Sequence, residues 1–383
     1  MSDAQDRCEP TRTRRRFAYG EGVGIGSLVA LVILFASADV SGHIVMGTKS
    51  LHLRVVEADL VVRARVINPE FVFVSADGKS KRRLVEIEIV EELKGKAGAK
   101  RIRFAQDGHE VAQYRVGQEA LFFLKPISKS RELRALAVPG GPTHVSGQEH
   151  NERFVLEGPY GPVLLSATRA LARSETATNG SKRVALIRSA TLDLLTSGDP
   201  QLGASALASL VMTPDAALVT EADLPRLEKL IANPDISIGL RAGLISELDR
   251  RGLIDGSVYW LALLKNARPP EFSAAIRVAG VHPSEAVNAF LLGLLADPNT
   301  ETEIAAECAM ALGTPGNDSA VGPLAHALMN GEPRLRNAAI RGLGQIGGPE
   351  ARKALEHAAE THPDAATRRR ARAKIRSGGA EGA

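Results

Sequence analysis

The sequence predicts a multidomain chain of α and β parts, in which a small β-barrel or sandwich precedes an α-helical repeat solenoid. Three observations lead there. First, composition changes near residue 166: residues 39–165 hold 8 aromatics, 23 Val+Ile and 10 Ala in 127 positions, and residues 166–383 hold 4, 19 and 41 in 218. β-Branched and aromatic side chains suit pleated, half-buried surfaces, and Ala suits close-packed helices. Second, short runs of alternating hydrophobicity in the first part are separated by Gly/Pro/Asp clusters. Third, prolines punctuate the second part at a nearly constant interval.

Bulk composition excludes other classes. With 383 residues, 44% of them apolar, the chain has material for two cores. It is not a disordered chain, a disulfide scaffold or a multi-pass membrane protein. Forty-eight Lys+Arg against 44 Asp+Glu leave a net charge of +4, too little to argue for nucleic acid.

Residues 1–38 read as an export signal or a membrane anchor. Arg12, Arg14, Arg15 and Arg16 form a positive n-region, Val23 to Ala38 is a 16-residue apolar run, and Ala36-Ser37-Ala38 offers an A-x-A-like cleavage site. Thr13-Arg14-Arg15-Arg16-Phe17 resembles the bacterial twin-arginine signal, with Glu21 and Ala18 as departures. As a helix the run would span about 24 Å, short of the ~30 Å hydrocarbon core. Cleavage is therefore expected and a retained anchor is the alternative; either places residues 39–383 outside the cytoplasm. Cys8 would leave with the signal, so Cys308 would be the mature chain's single thiol.

Residues 39–166 form the expected β-domain. Leu60-Val61-Val62 opens a strand running to Val66. Val85, Ile87 and Ile89 alternate with Glu86 and Glu88; Ile102 and Phe104 repeat the pattern; Ala120 to Leu124 is a continuous apolar run fit for a strand covered on both faces. Three stretches resemble bacterial domains of the netrin/tissue-inhibitor-of-metalloproteinase type: Glu57-Ala58-Asp59-Leu60-Val61-Val62-Arg63-Ala64-Arg65-Val66, Val90-Glu91-Glu92-Leu93-Lys94-Gly95, and Val116 to Leu124. The resemblance covers roughly residues 50–165 and implies an OB-like barrel. That family's inhibitors chelate zinc through an N-terminal Cys, which this domain lacks. Protease inhibition is kept as a remote alternative.

Residues 167–183 are expected to be a linker, on the polar run Arg173 to Lys182, and residues 184–376 a solenoid with a flexible tail at 377–383. Pro200, Pro234, Pro269, Pro298, Pro333 and Pro363 recur at intervals of 34, 35, 29, 35 and 30. In the clearest unit, Leu335, Ala338, Ala339, Leu343 and Ile346 share one helical face, Gly347-Gly348 stops the helix, and Ala351, Ala354, Leu355, Ala358 and Ala359 make a second stripe. Leu335 to Gly347 and Glu303 to Gly313 resemble HEAT repeats of the short type also found in phycobilin-lyase relatives. That resemblance implies helical hairpins that bury their stripes only by stacking.

A search for chemistry gives no catalytic, metal or cofactor site. There is no G-x-S-x-G, H-E-x-x-H or P-loop. His357 and His362 straddle a helix end, His144 and His150 read as solvated loop residues, and His109-Glu110 lies in a turn. Cys308 is expected to be a buried, inert thiol. Lys79, Lys81, Arg82 and Arg83 read as a hairpin tip.

Two groups remain as candidate partner contacts. Tyr259 and Trp260 open a second-position helix, either filling the core or forming a binding hot spot. Arg368, Arg369 and Arg372 belong to a final basic helix that also carries Arg370, Lys374 and Arg376, read as a polar cap or a contact for an anionic partner. The expected function is an exported, non-enzymatic protein-interaction scaffold with unidentified protein partners and no nucleic acid. Membrane contact would come only through an uncleaved N-terminal segment. The alternative is an enzyme or enzyme accessory related to HEAT-type bilin lyases, which would need a reactive Cys or a His pair.

Overall fold

The computed structural model describes residues 49–74, 81–106, 113–130, 133–139, 141–146, 154–213 and 216–378. The export segment, with Arg14, Arg15, Ala36 and Ala38, lies outside them. So do His109, Glu110, His150 and Lys79.

A five-stranded barrel comes first. Its strands are β1 (Leu60–Val74), β2 (Lys81–Lys94), β3 (Arg101–Gln106), β4 (Glu119–Pro126) and β5 (His144–Ser146). Their order is β1-β2-β3-β5-β4, and β4 pairs back onto β1 from Leu60↔Leu124 to Arg65↔Glu119, which closes the ring. β3 and β5 run parallel; the other pairings in the ring are antiparallel. This is the OB-like arrangement expected from the sequence. A two-residue strand, β6 (Phe154–Val155), adds to the outer edge of β4. Register shifts punctuate the long β1–β2 hairpin, as at Arg63/Ala64 and Val66/Asn68, and such bulges bend a ribbon enough to coil into a barrel.

Apolar side chains of four strands fill the lumen, those of β2 and β3 being the ones the alternation marks. Leu60, Val62, Ala64 and Val66 of β1 meet Ile87, Phe104 and Phe122 inside. Phe122 packs tilted against Phe104 and Tyr114, with ring centroids 5.3 Å apart in both pairs. β4 is buried from Ala120 to Leu124 because its other face is covered too; Phe123 meets Phe154 edge-on at 5.1 Å.

A short helix, α1 (Leu51–Glu57), precedes the barrel and is capped at both ends. The Ser50 hydroxyl accepts from the Leu53 N–H, and Lys94 donates to the Val55 and Val56 carbonyls at 2.7 and 2.9 Å. Gly95 follows at φ +75°, and a Cβ there would stand 2.2 Å from the Asp59 carbonyl oxygen. The Lys94-Gly95 signature at the end of β2 therefore has a local cause, a helix cap followed by a turn that admits no side chain.

Thirteen further helices follow among the described residues. α2 (Gly161–Thr176) and α3 (Gly180–Leu195) form a hairpin against the barrel. This corrects the expected linker: most of 167–183 is helical, and only residues 177–179 lie between α2 and α3. The polar run misled because Arg173 to Thr176 is the last turn of an amphipathic helix whose inner face is Leu164, Ala167, Leu171 and Ala172, and Asn179 caps the next helix by accepting from the Lys182 N–H. The Arg169 guanidinium grips the Glu91 carboxylate on β2 through two bonds of 3.0 and 2.6 Å.

Five successive helix pairs and one final helix complete the array: α4 (Pro200–Met212) then α5 (Leu224–Ala232), α6 (Ile238–Arg250) then α7 (Gly256–Lys265), α8 (Pro269–Gly280) then α9 (Glu285–Ala296), α10 (Thr302–Ala311) then α11 (Val321–Asn330), α12 (Pro333–Ile346) then α13 (Gly348–Thr361), and α14 (Ala365–Gly378) alone. Each recurring proline stands at or just before a first helix. Pro200, Pro269 and Pro333 occupy first turns, where a missing N–H costs nothing. The first helices α4, α6, α8, α10, α12 and α14 pack side by side as one layer, and α7, α9, α11 and α13 as another. Leu244, Leu264, Ile276, Leu291, Leu312 and Leu343 lie between them, fully buried. α14 extends to Gly378, past the expected start of the tail at 377.

Backbones in the first layer approach closely. A Cβ on Gly313 would lie 2.6 Å from the Gly342 Cα, and one on Gly342 would lie 2.6 Å from the Ala309 carbonyl oxygen. Gly and Ala at these positions are what permit α10 and α12 to touch.

Candidate interaction surface

The site follows from which side chains the two layers leave outside. In the second layer, Trp260 on α7 is 2% exposed and stacks on the His282 ring with centroids 4.3 Å apart and planes 9° from parallel. It fills the core between repeats, so its candidacy as a partner contact is corrected. The amphipathic spacing left both faces open, and the neighbouring ring decides the matter. Tyr259 is half-buried and donates its hydroxyl to Glu228 of α5 at 2.5 Å, a bond that raises the phenol pKa. Val258 beside it is exposed, as is Val281 after α8.

His282 is held between repeats as well. Its Nε2 lies 3.1 Å from the Ser246 hydroxyl of α6, and burial lowers its pKa below 6.5 although Asp249 pulls the other way. Cys308 on α10 is fully buried, and desolvation pushes its thiol up to about 12. A thiol in that state stays protonated at neutral pH. His357 is exposed, while His362 is buried with Nδ1 accepting from the Asp364 N–H at 3.0 Å, so the two do not converge. His144 sits beside Thr143, 2.8 Å from its hydroxyl, with its pKa lowered by burial. No group of three or more His, Cys, Asp or Glu side chains is placed to hold a metal among the described residues. Arg83 is exposed on β2, 3.5 Å from Glu70.

A ladder of arginine–carboxylate bridges joins neighbouring repeats. Arg241–Glu271, Arg277–Glu307 and Arg334–Glu303 lie at 3.0, 2.9 and 2.5 Å, and Arg268–Asp235 and Arg336–Asp364 at 2.8 and 3.3 Å. The partners are one repeat apart in sequence, so the signal was present as Arg and Asp/Glu recurring at the proline period. No motif within one repeat carries it, because each pair spans two repeats. Arg241 is itself buried, 1% exposed in its side chain, and cannot be left unpaired cheaply.

At the end of the ladder the acids run out. Arg368 turns back to the His362 and Pro363 carbonyls at 2.5 and 2.8 Å, and Arg370 donates to Asn337 at 2.8 Å. Arg369, Arg372 and Arg376 are exposed. Asp364, at the mouth of this helix, is held well below the usual carboxylate range by the Thr367 hydroxyl and by backbone N–H donors. Of the basic residues singled out in the sequence, Arg369 and Arg372 share the surface and Arg368 is used internally.

The fold therefore defines an OB-like barrel joined to an array of stacked helical hairpins. Residues 289–376, from within α9 to within α14, match the HEAT repeats family. No curated protein matches the chain. Arrays of this kind generally serve as protein-interaction scaffolds, because repetition yields an extended surface. Among the described residues, no helix is long and apolar enough to cross a membrane.

Proposed function

We propose that the chain is an exported, non-enzymatic scaffold whose helical array binds protein partners, with the barrel as a fixed module of the netrin/tissue-inhibitor-of-metalloproteinase type. One observation carries the binding role: a continuous stack of helices, of which residues 289–376 match the HEAT repeats family. Three motifs in order support the barrel type, together with the strand order that closes it. The arginine-rich n-region, apolar run and Ala36-Ser37-Ala38 support export.

Co-purification tests the binding role. The full chain, compared with one ending after α3, should retain partners that the shorter chain loses. The same partners on both would place binding in the barrel. Export is tested separately by the mass of the mature chain: a start at Asp39 outside the cytoplasm is expected, and an intact cytoplasmic chain starting at Met1 contradicts it.

A further inference from the structure

We infer that the exposed arginine stripe of α14 is a docking face for an acidic segment of a protein partner, taken up where the next helix of the array would stack. The inference rests on the scaffold reading and names the chemistry of one partner.

The register between the last two first-layer helices locates the face. α12 begins at 333 and α14 at 365, so residues 32 apart are equivalent, and the buried Ala339 and Ala371 confirm the match. On α12 the side turned toward α14 carries Arg336, bound to Thr367 and Asp364; Asn337, bound to Arg370; Ile340, buried; and Gly344, covered by Lys374. The equivalents on α14 are Arg368, Arg369, Arg372 and Arg376. The face by which α12 receives α14 is thus arginine-lined at the equivalent positions of α14.

Charge decides what kind of neighbour fits. Neither α12 nor α14 contains an Asp or Glu, while together they carry nine Arg and Lys. Arg369, Arg372 and Arg376 form a stripe at i, i+3 and i+7, ~10 Å long. Elsewhere in this layer the molecule pairs arginines with carboxylates of the adjoining repeat, at Arg241–Glu271, Arg277–Glu307 and Arg334–Glu303. An acidic segment with carboxylates at helical spacing would continue that ladder. Arginine also favours carboxylates geometrically, since its planar fork donates two parallel bonds. A lipid surface fits less well. The apolar side of α14, with Ala371 fully buried and Ile375 partly so, is turned into the array, so this helix exposes alanines but no large apolar side chain to insert.

The test uses the full chain with two probes, a fluorescein-labelled polyglutamate peptide and vesicles of phosphatidylglycerol in phosphatidylcholine. The triple variant R369E/R372E/R376E is compared with a control of equal charge change on the second helices of the hairpins, K229E/K265E/K353E. Peptide binding should weaken about tenfold or more in the first triple, as expected for three exposed ion pairs lost together, and stay within about twofold in the control. Equal weakening in both would reduce the effect to net charge and overturn the site, as would failure of the wild type to bind peptide. Binding to vesicles but not to peptide would make the partner a membrane and overturn the inference. Loss of the site with array-dependent co-purification intact would contradict this inference alone and leave the scaffold reading standing.

Discussion

Single residues explain more of this chain than its motifs do. Lys94 and Gly95 belong to one of the three stretches that resemble a known domain type, yet their visible work is structural: one caps α1, the other clears the Asp59 carbonyl at φ +75°. Gly95→Ala should therefore destabilise by more than about 1 kcal/mol, since the new Cβ meets both a forbidden backbone region and a backbone atom. Chemical denaturation of the full chain measures it, and an unchanged midpoint would show that the turn relaxes freely. Cys308 makes the opposite point. The sequence placed it between apolar neighbours, and burial with a raised pKa leaves it inert. Trp260 shows where the sequence stops. An aromatic near the head of a helix fits a core plug or a hot spot, and the ring of His282, 22 positions on, places it in the core.

At the scale of elements, what the sequence disclosed was whatever repeats. Recurring prolines and Ala/Leu stripes at helical spacing mark the first helices of the array, period-two alternation marks β2 and β3, and apolar runs mark β1 and β4, because each pattern is local. The barrel's closure depends on β1 meeting β4 across about sixty residues, and no local pattern encodes that pairing. The α2–α3 hairpin was missed for a related reason: the exposed end of an amphipathic helix has the composition of a linker. Leu343 tests the array core. It is fully buried on α12, and Leu343→Ala should cost roughly 2–5 kcal/mol; an unchanged melting curve would remove it from the core. His282 tests the contact between the α6–α7 and α8–α9 repeats through pH. Its folded pKa lies below 6.5, so the unfolded chain binds its proton first, and stability present above pH 6.5 is lost as pH falls below it. His282→Phe keeps a ring for Trp260 and removes the proton site. Its melting temperature should fall less than the wild type's between pH 7 and about pH 5; identical slopes would show that His282 does not titrate in the fold.

For the molecule as a whole, two unlike parts share one design. The barrel is tied to the array by bonds from its own strands and leading helix: Glu91 to Arg169, Lys94 to Glu175 at 3.8 Å, and the Leu51 N–H to the Ser205 hydroxyl at 2.7 Å. These contacts join the barrel to the first helices of the array. α14, the last described helix, carries exposed arginines at Arg369, Arg372 and Arg376. The sequence disclosed that basic crowding but not its position, because the equivalence of α14 with the receiving face of α12 exists only once the helices are stacked. In the proposed scaffold the array, and not the barrel, meets partners. Photo-cross-linking in cells tests it most directly, with a photoreactive residue placed in the full-length protein at exposed array positions Val258, Val281 and Arg372 and at exposed barrel positions Val72 and Val90. Cross-linked protein partners at the array positions and none at the barrel positions is the predicted result; partners captured only from the barrel would contradict it.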